Sequence, residues 1–209
     1  MTKHYLEQLT NHYPELQSCI DDVEKAYETI KESYENNGKL LIAGNGGSAA
    51  DCEHIVGELM KGFVSSRKLP DEEIERLNKA GDDGSIGQHL QGALPAISLV
   101  SHSALMTAFS NDVAPELVFA QQVYGYGNEN DIFLGISTSG NSKNIIQAAI
   151  VAKAKGLKTI CLTGKTGGRL NDICDVTIRV PYEETYRIQE RHLPVYHTLC
   201  LMLEEEFFG

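Results

Sequence analysis

Apolar positions along the 209-residue chain change their spacing in a repeating way. Over residues 1–38, "HYLEQLTNHYPELQSCIDDVEKAYETIKESYENNG" places them three and four apart, which predicts two helices ending at Asn37-Gly38. "KLLIAG" is then almost wholly apolar and reads as a short strand. After a glycine loop, "SAADCEHIVGELMKGF" returns to helical spacing. Further strands are predicted at "PAISLVS", "DIFLGIS", "KTICLTG" and "VTIRVP". Helical patterns lie in "PELVFAQQVYGYG" and "KNIIQAAIVAKAKG", and "HSALMTAFSND" reads as helix or turn. "RIQERHLPVYHTLCLMLEEEFF" closes the chain as a long helix, whose Pro194 should kink it or fall in its first turns.

Five near-continuous apolar strands alternating with helices predict an α/β fold: a mainly parallel five-stranded sheet flanked by helices on both faces, with the N-terminal helices added. Residues 64–92 break the pattern. They are polar and glycine-punctuated, and only "PDEEIERLNKAG" suggests a short surface helix, with Pro70 at its start and acids in its first turn.

The net charge of −11 argues against a non-specific nucleic-acid binder and against an acidic membrane surface as partner. No apolar run approaches membrane-spanning length, and "MTKHYLEQLTNHY" lacks the apolar core of a signal peptide. Cys19, Cys52, Cys161, Cys174 and Cys200 are odd in number and scattered, as expected for reduced cysteine in a cytoplasm. Cys52 lies near the glycine loop, but a core role is the default for such a thiol.

The chemistry lies in the loops. "GNGGS" and "STSGNS" each follow a strand, so both belong on the carboxyl edge of the sheet, where ligands bind in such folds. Glycines let backbone N–H groups approach an anion, and the helix N-terminus behind them adds donors. Ser48 would cap its helix or bind ligand, and the hydroxyls of Ser137, Thr138, Ser139 and Ser142 suit a phosphate ester without lysine. Neither loop is a dinucleotide or Walker fingerprint, so no nucleotide cofactor is expected. His54 and Glu58 stand four apart on one helix face, a spacing that suits a metal ion or an acid–base role. The last helix carries Gln189, Glu190, His192 and His197. Gln189 and His197 are about 12 Å apart along a helix. For both to reach one metal, the helix must be irregular or bent, or one ligand must come from a second subunit.

"AGNGGSAADCEHIVGEL", "SND", "GISTSGNSKNII" and "RIQERHLPVYH" together, in this order, resemble the bacterial phosphoheptose isomerases, within the wider sugar-isomerase (SIS) domain group. The resemblance covers most of the chain except residues 64–92, which stand as an inserted connection. It implies one SIS domain over 1–209 with a flavodoxin-like sheet. It implies a cytoplasmic homotetramer with interfacial active sites, interconverting sedoheptulose 7-phosphate and an aldoheptose 7-phosphate. His54, Glu58, Gln189 and His197 correspond to zinc-associated residues, and Glu58 and His197 also to the acid–base pair. Asn45, Gly46, Gly47, Asn111, Asp112, Ser137, Thr138, Ser139 and Ser142 correspond to substrate contacts, with Ser48 and Gln189 beside them. The sequence departs from the pattern at Lys61–Phe63, where an arginine-bearing segment is usual, and at "ETY" before Arg187. Competing readings are an enzyme for another sugar phosphate, or a non-catalytic phosphosugar-binding relative that associates with a replication initiator. In such a relative Glu58 and His197 should be replaced, and a sugar-phosphate regulator should carry an added DNA-binding domain.

Overall fold

The computed structural model describes residues 2–209. At the start, α1 (Lys3–His12) and α2 (Ile20–Glu35) are joined by a 3-10 turn over Pro14–Cys19. Asn37 takes a left-handed conformation (φ 59°) just past α2, as the predicted stop requires. Then follow β1 (Leu40–Gly44), α3 (Gly47–Met60), α4 (Asp71–Ala80), β2 (Ala96–Ser98) and α5 (Ser103–Asp112). A second 3-10 turn, Pro115–Leu117, leads into α6 (Val118–Tyr126) and β3 (Ile132–Ile136). The chain ends with α7 (Lys143–Ala154), β4 (Lys158–Thr163), α8 (Leu170–Ile173), β5 (Val176–Arg179) and α9 (Thr185–Phe208). All five expected strands are present, and α8 is the one element the pattern missed, being only 4 residues long. Pro194 is the tenth residue of a helix that continues to Phe208, so the helix tolerates it in its third turn. The cost is the bond that the Glu190 carbonyl would otherwise accept.

The sheet is entirely parallel, in the order β2-β1-β3-β4-β5. The chain passes from β1 outward to β2, then crosses back to lay β3 on the other side of β1. β1 and β3 are thus neighbours at the point where the winding reverses, and Gly44 pairs with Ile136 at their carboxyl ends. Alternate residues of β1 face opposite cores. Leu40 and Ile42 pack with α1, α2, α3 and α9, whereas Leu41 and Ala43 pack with α6, α7 and α8. No helix among the described residues is long and apolar enough to cross a membrane. All five cysteines are free; Cys52 is fully buried, donates to the Ser48 carbonyl, and has its thiol pKa pushed up by burial.

Residues 64–92 leave and rejoin the fold at one place. Gly62 N–H donates to Gln91 Oε1 at 2.9 Å, Gly92 N–H donates to the Arg67 carbonyl at 2.7 Å, and Lys68 bridges Gln91 antiparallel. Within the segment, α4 stands on the surface with none of its residues buried. Its stem is fixed by Arg67, whose side chain is wholly buried. The guanidinium donates to Glu204 (2.7 Å) and to the last carbonyls of α3, Leu59 (2.7 Å) and Glu58 (2.9 Å). Glu204 in turn accepts from the N–H groups of Phe63, Val64 and Ser65. Burial pushes the Glu204 carboxyl up, but these donors outweigh it and the net shift is downward. Three N–H donors of a chain turn and two carbonyl acceptors of a helix end are thereby satisfied by one ion pair.

Two predictions follow from this packing. Glu204→Gln leaves the buried Arg67 without its counter-charge and should cost about 3–5 kcal/mol of unfolding free energy in urea melts; a loss under about 1 kcal/mol overturns the assignment. His192 is wholly buried, with Nε2 donating to the Thr163 carbonyl at 3.3 Å, and burial pulls its pKa down to about 4. The unfolded chain takes up that proton near pH 6.5, so this contribution is full above pH 6.5 and is lost as pH falls toward 4. His192→Phe should flatten the stability–pH curve over that window, and an unchanged slope would contradict the burial argument.

Candidate active site

Loop one, Asn45–Gly46–Gly47, leaves β1 and opens α3; loop two, Ser137–Ser142, leaves β3 and opens α7. Because β1 and β3 are adjacent and in register, the loops lie side by side on the carboxyl edge. Asn45 Nδ2 donates to Asn144 Oδ1 (3.0 Å) and Asn144 Nδ2 donates back to Asn45 Oδ1 (2.9 Å). In loop two, Ser137 and Ser142 share a hydroxyl–hydroxyl bond of 2.9 Å, and Ser139 Oγ accepts from Asn141 N–H. Gly140 has φ 65° and sits so close to the Gly167 carbonyl that any Cβ there would collide with backbone. The third glycine loop thus acts as a floor under the second.

Several predicted residues are placed differently from expectation. Ser48 does not cap α3: Gly46 is the cap residue, and Ser48 is buried in the first turn, which removes its hydroxyl from the open edge. Ser137 is buried as well, while Thr138 is half-buried and Ser139 exposed. His192 turns into the core rather than toward the loops. Asn111 and Asp112 end α5, with Asn111 Nδ2 donating to Asp112 Oδ1 (2.8 Å). Both are exposed, bonded to each other and not to either loop. On the α5 side of loop one lies an open cavity of ≈ 440 Å³, lined by Asn45, Gly46, Glu53, Met106 and Phe119 among others.

On the opposite face of α3 the expected His-Glu pair is in contact, with His54 Nε2 3.1 Å from Glu58 Oε1. The other ring nitrogen, Nδ1, is 3.0 Å from the Tyr196 hydroxyl, which donates to Asp51 Oδ1 at 3.3 Å. The Glu58 carboxylate can only accept, so a proton on His54 Nε2 makes that 3.1 Å contact a hydrogen bond, while the Tyr196 hydroxyl sits between His54 Nδ1 and Asp51 Oδ1. Burial raises the pKa of both Asp51 and Tyr196. Lys61 Nζ reaches Glu58 Oε2 at 3.3 Å. Sequence spacing missed Asp51 and Tyr196. Asp51 could have been found one helical turn before His54; Tyr196, next to His197, meets His54 only through the packing of α9 on α3.

α9 runs along α3, which decides the fate of its polar residues. His197 has its ring 5.0 Å from that of His54 and 5.4 Å from Phe63. Its Nε2 is buried with no partner, and burial, then His54, lowers its pKa. His197 also borders a cavity of ≈ 220 Å³ against α1, beside Gln8, His12 and Tyr13. Gln189 lies two turns earlier, against Gly47, where a Cβ would fall 2.5 Å from its Nε2. The separation along α9 is therefore real: His54, Glu58 and His197 are neighbours, and Gln189 is not among them.

The donor types suit zinc: two imidazoles, a carboxylate and an amide oxygen. His54 Nε2 meets the Glu58 carboxylate and His197 Nε2 is buried with no hydrogen-bond partner, so a cation there would replace the proton that His54 gives to Glu58. Convergence is what a single chain lacks. Among the described residues, no group of three or more His, Cys, Asp or Glu could hold a metal ion.

Comparison with known proteins agrees with this geometry. Two SIS-domain family profiles match, over residues 4–89 and 96–203. A phosphoheptose isomerase of Aneurinibacillus thermoaerophilus is 39% identical over 186 residues, covering 89% of this chain and 82% of that protein. One from Nitratiruptor is 37% identical across 99% of this chain and 100% of its own. The solved phosphoheptose isomerase of Francisella tularensis superposes with a TM-score of 0.77 at 31% identity, covering 97% of this chain and 96% of that one. With the parallel sheet, the paired loops and the His-Glu helix already in view, the chain belongs to the phosphoheptose isomerase family of SIS-domain proteins.

Proposed function

We propose that this protein is a cytoplasmic isomerase that interconverts sedoheptulose 7-phosphate and an aldoheptose 7-phosphate. The observation that carries the reading is the single helix α3: its first residues form the glycine loop beside the serine loop, and its last turn bears Glu58. A phosphate held on the loops by hydroxyls, N–H groups and two helix N-termini leaves the sugar chain to extend along α3 toward Glu58.

Aldose–ketose exchange moves one proton between adjacent carbons through an enediol(ate). The Glu58 carboxylate, with Lys61 keeping a positive charge beside it, is the base that takes the proton from carbon and returns it to the neighbouring carbon. His197, neutral because its pKa is lowered, offers an imidazole N–H to the sugar oxygens as the acid. Phe63 and Tyr196 border the two imidazoles and exclude water on that side. Zinc is the proposed metal, held by His54, Glu58, Gln189 and His197 drawn from more than one subunit of a homotetramer. When bound, it polarises the substrate's oxygens as a Lewis acid. The Asp51–Tyr196 pair holds His54 at Nδ1, so that Nε2 is turned toward Glu58.

Glu58→Gln should keep the fold and the KM within a few-fold while lowering kcat by about 10²–10⁴-fold; near-normal turnover on a panel of five- to seven-carbon sugar phosphates would remove the base assignment. The metal is checked separately. Purified protein should carry near-stoichiometric zinc, and a chelator should suppress activity that added zinc restores. Light scattering should give a tetramer; a strict monomer would leave the ligand set incomplete and sink the shared site.

A further inference from the structure

Loops one and two are bound together by the reciprocal amides of Asn45 and Asn144, residues 99 apart in sequence. By shape alone an amide can be turned either way, because its oxygen and nitrogen are nearly the same size. Here one backbone group decides. Ile145 N–H is shared between the Ser142 carbonyl (3.1 Å) and Asn144 Oδ1 (3.0 Å), and an N–H can meet only an acceptor. Asn144 Nδ2 must then face Asn45, and it requires an oxygen there. Asn45 Oδ1 is therefore assigned, and Asn45 Nδ2 follows. A single N–H in the first turn of α7 sets the orientation of a side chain on the loop after β1.

The groups left over are also determined. Each amide has two N–H donors and an oxygen with two lone pairs. Asn144 Oδ1 uses both lone pairs, on Asn45 and on Ile145. Each Nδ2 uses one N–H within the pair and keeps the other. The pair therefore turns spare donors to the open edge, beside the N-terminus of α7, where they suit an oxygen-rich anion.

We infer that Asn144 is a positioning residue of the phosphosugar site. It fixes the amide of Asn45 and holds the two loops at one spacing, so that phosphate on loop two and sugar on loop one are bound as a unit. The inference rests on the isomerase reading above for its substrate, but not for its geometry.

A double-mutant cycle tests it. Wild type, Asn45→Ala, Asn144→Ala and the double variant are compared for kcat and KM with sedoheptulose 7-phosphate, with urea melts in parallel. Asn144→Ala should raise KM about tenfold with kcat little changed, and the double variant should be no worse than the worse single one. Asn144→Asp keeps the acceptor for Ile145 but loses the donated bond and adds a negative charge, so it should be more damaging than alanine at equal stability. Losses that multiply, or a KM for Asn144→Ala within about twofold of wild type, overturn the inference. The same four proteins are titrated with inorganic phosphate by calorimetry. Coupling there without heptose turnover would end the isomerase reading and keep the amide pair's role; turnover without coupling in either assay would end the latter alone.

Discussion

The adjacency of β1 and β3 in a parallel sheet is the constraint on which everything else depends. Two strands separated by most of a hundred residues meet because the chain reverses its winding between them. Both then end at the same height, and each delivers a loop and a helix N-terminus to one patch. A protein of net charge −11 can in this way hold a dianion without a basic surface: the attraction comes from oriented backbone dipoles and hydroxyls within the last turn of the loops, while the distant carboxylates are screened. The same adjacency sets α3 so that the helix opened by the glycine loop carries Glu58 in its last turn.

The second long contact, α9 on α3, supplies the rest. It brings an imidazole with an unpartnered nitrogen to one that is hydrogen-bonded to a carboxylate. Gln189 lies two turns earlier on α9, against Gly47 and apart from His54, Glu58 and His197.

The strands, the two loops and the His54–Glu58 face were legible in the sequence because each is local: a period, a glycine cluster, a spacing of four. What was not legible is long-range pairing. Nothing in "GELMKGF" signals that Arg67 will cap α3 and meet Glu204, 137 residues later. Nothing in "CEHI" announces that His54 will meet the hydroxyl of Tyr196. Ser48 reads as a cap because serine commonly caps helices, yet Gly46 takes the cap conformation with φ 57° and draws Ser48 inside. His192 shares a helix with the site residues, but the helix surface is curved and that position faces β4. Each miss concerns which way an amphipathic surface is turned, a quantity that packing decides.

The stem of residues 64–92 has a consequence for how the protein can vary. Its two ends are fastened to each other, and the one costly burial there, a guanidinium against a carboxylate, is complete without any residue of α4. Whatever is written between those ends is mechanically insulated from the helix that carries Glu58. Substitutions on α4 therefore leave every contact that closes the stem in place.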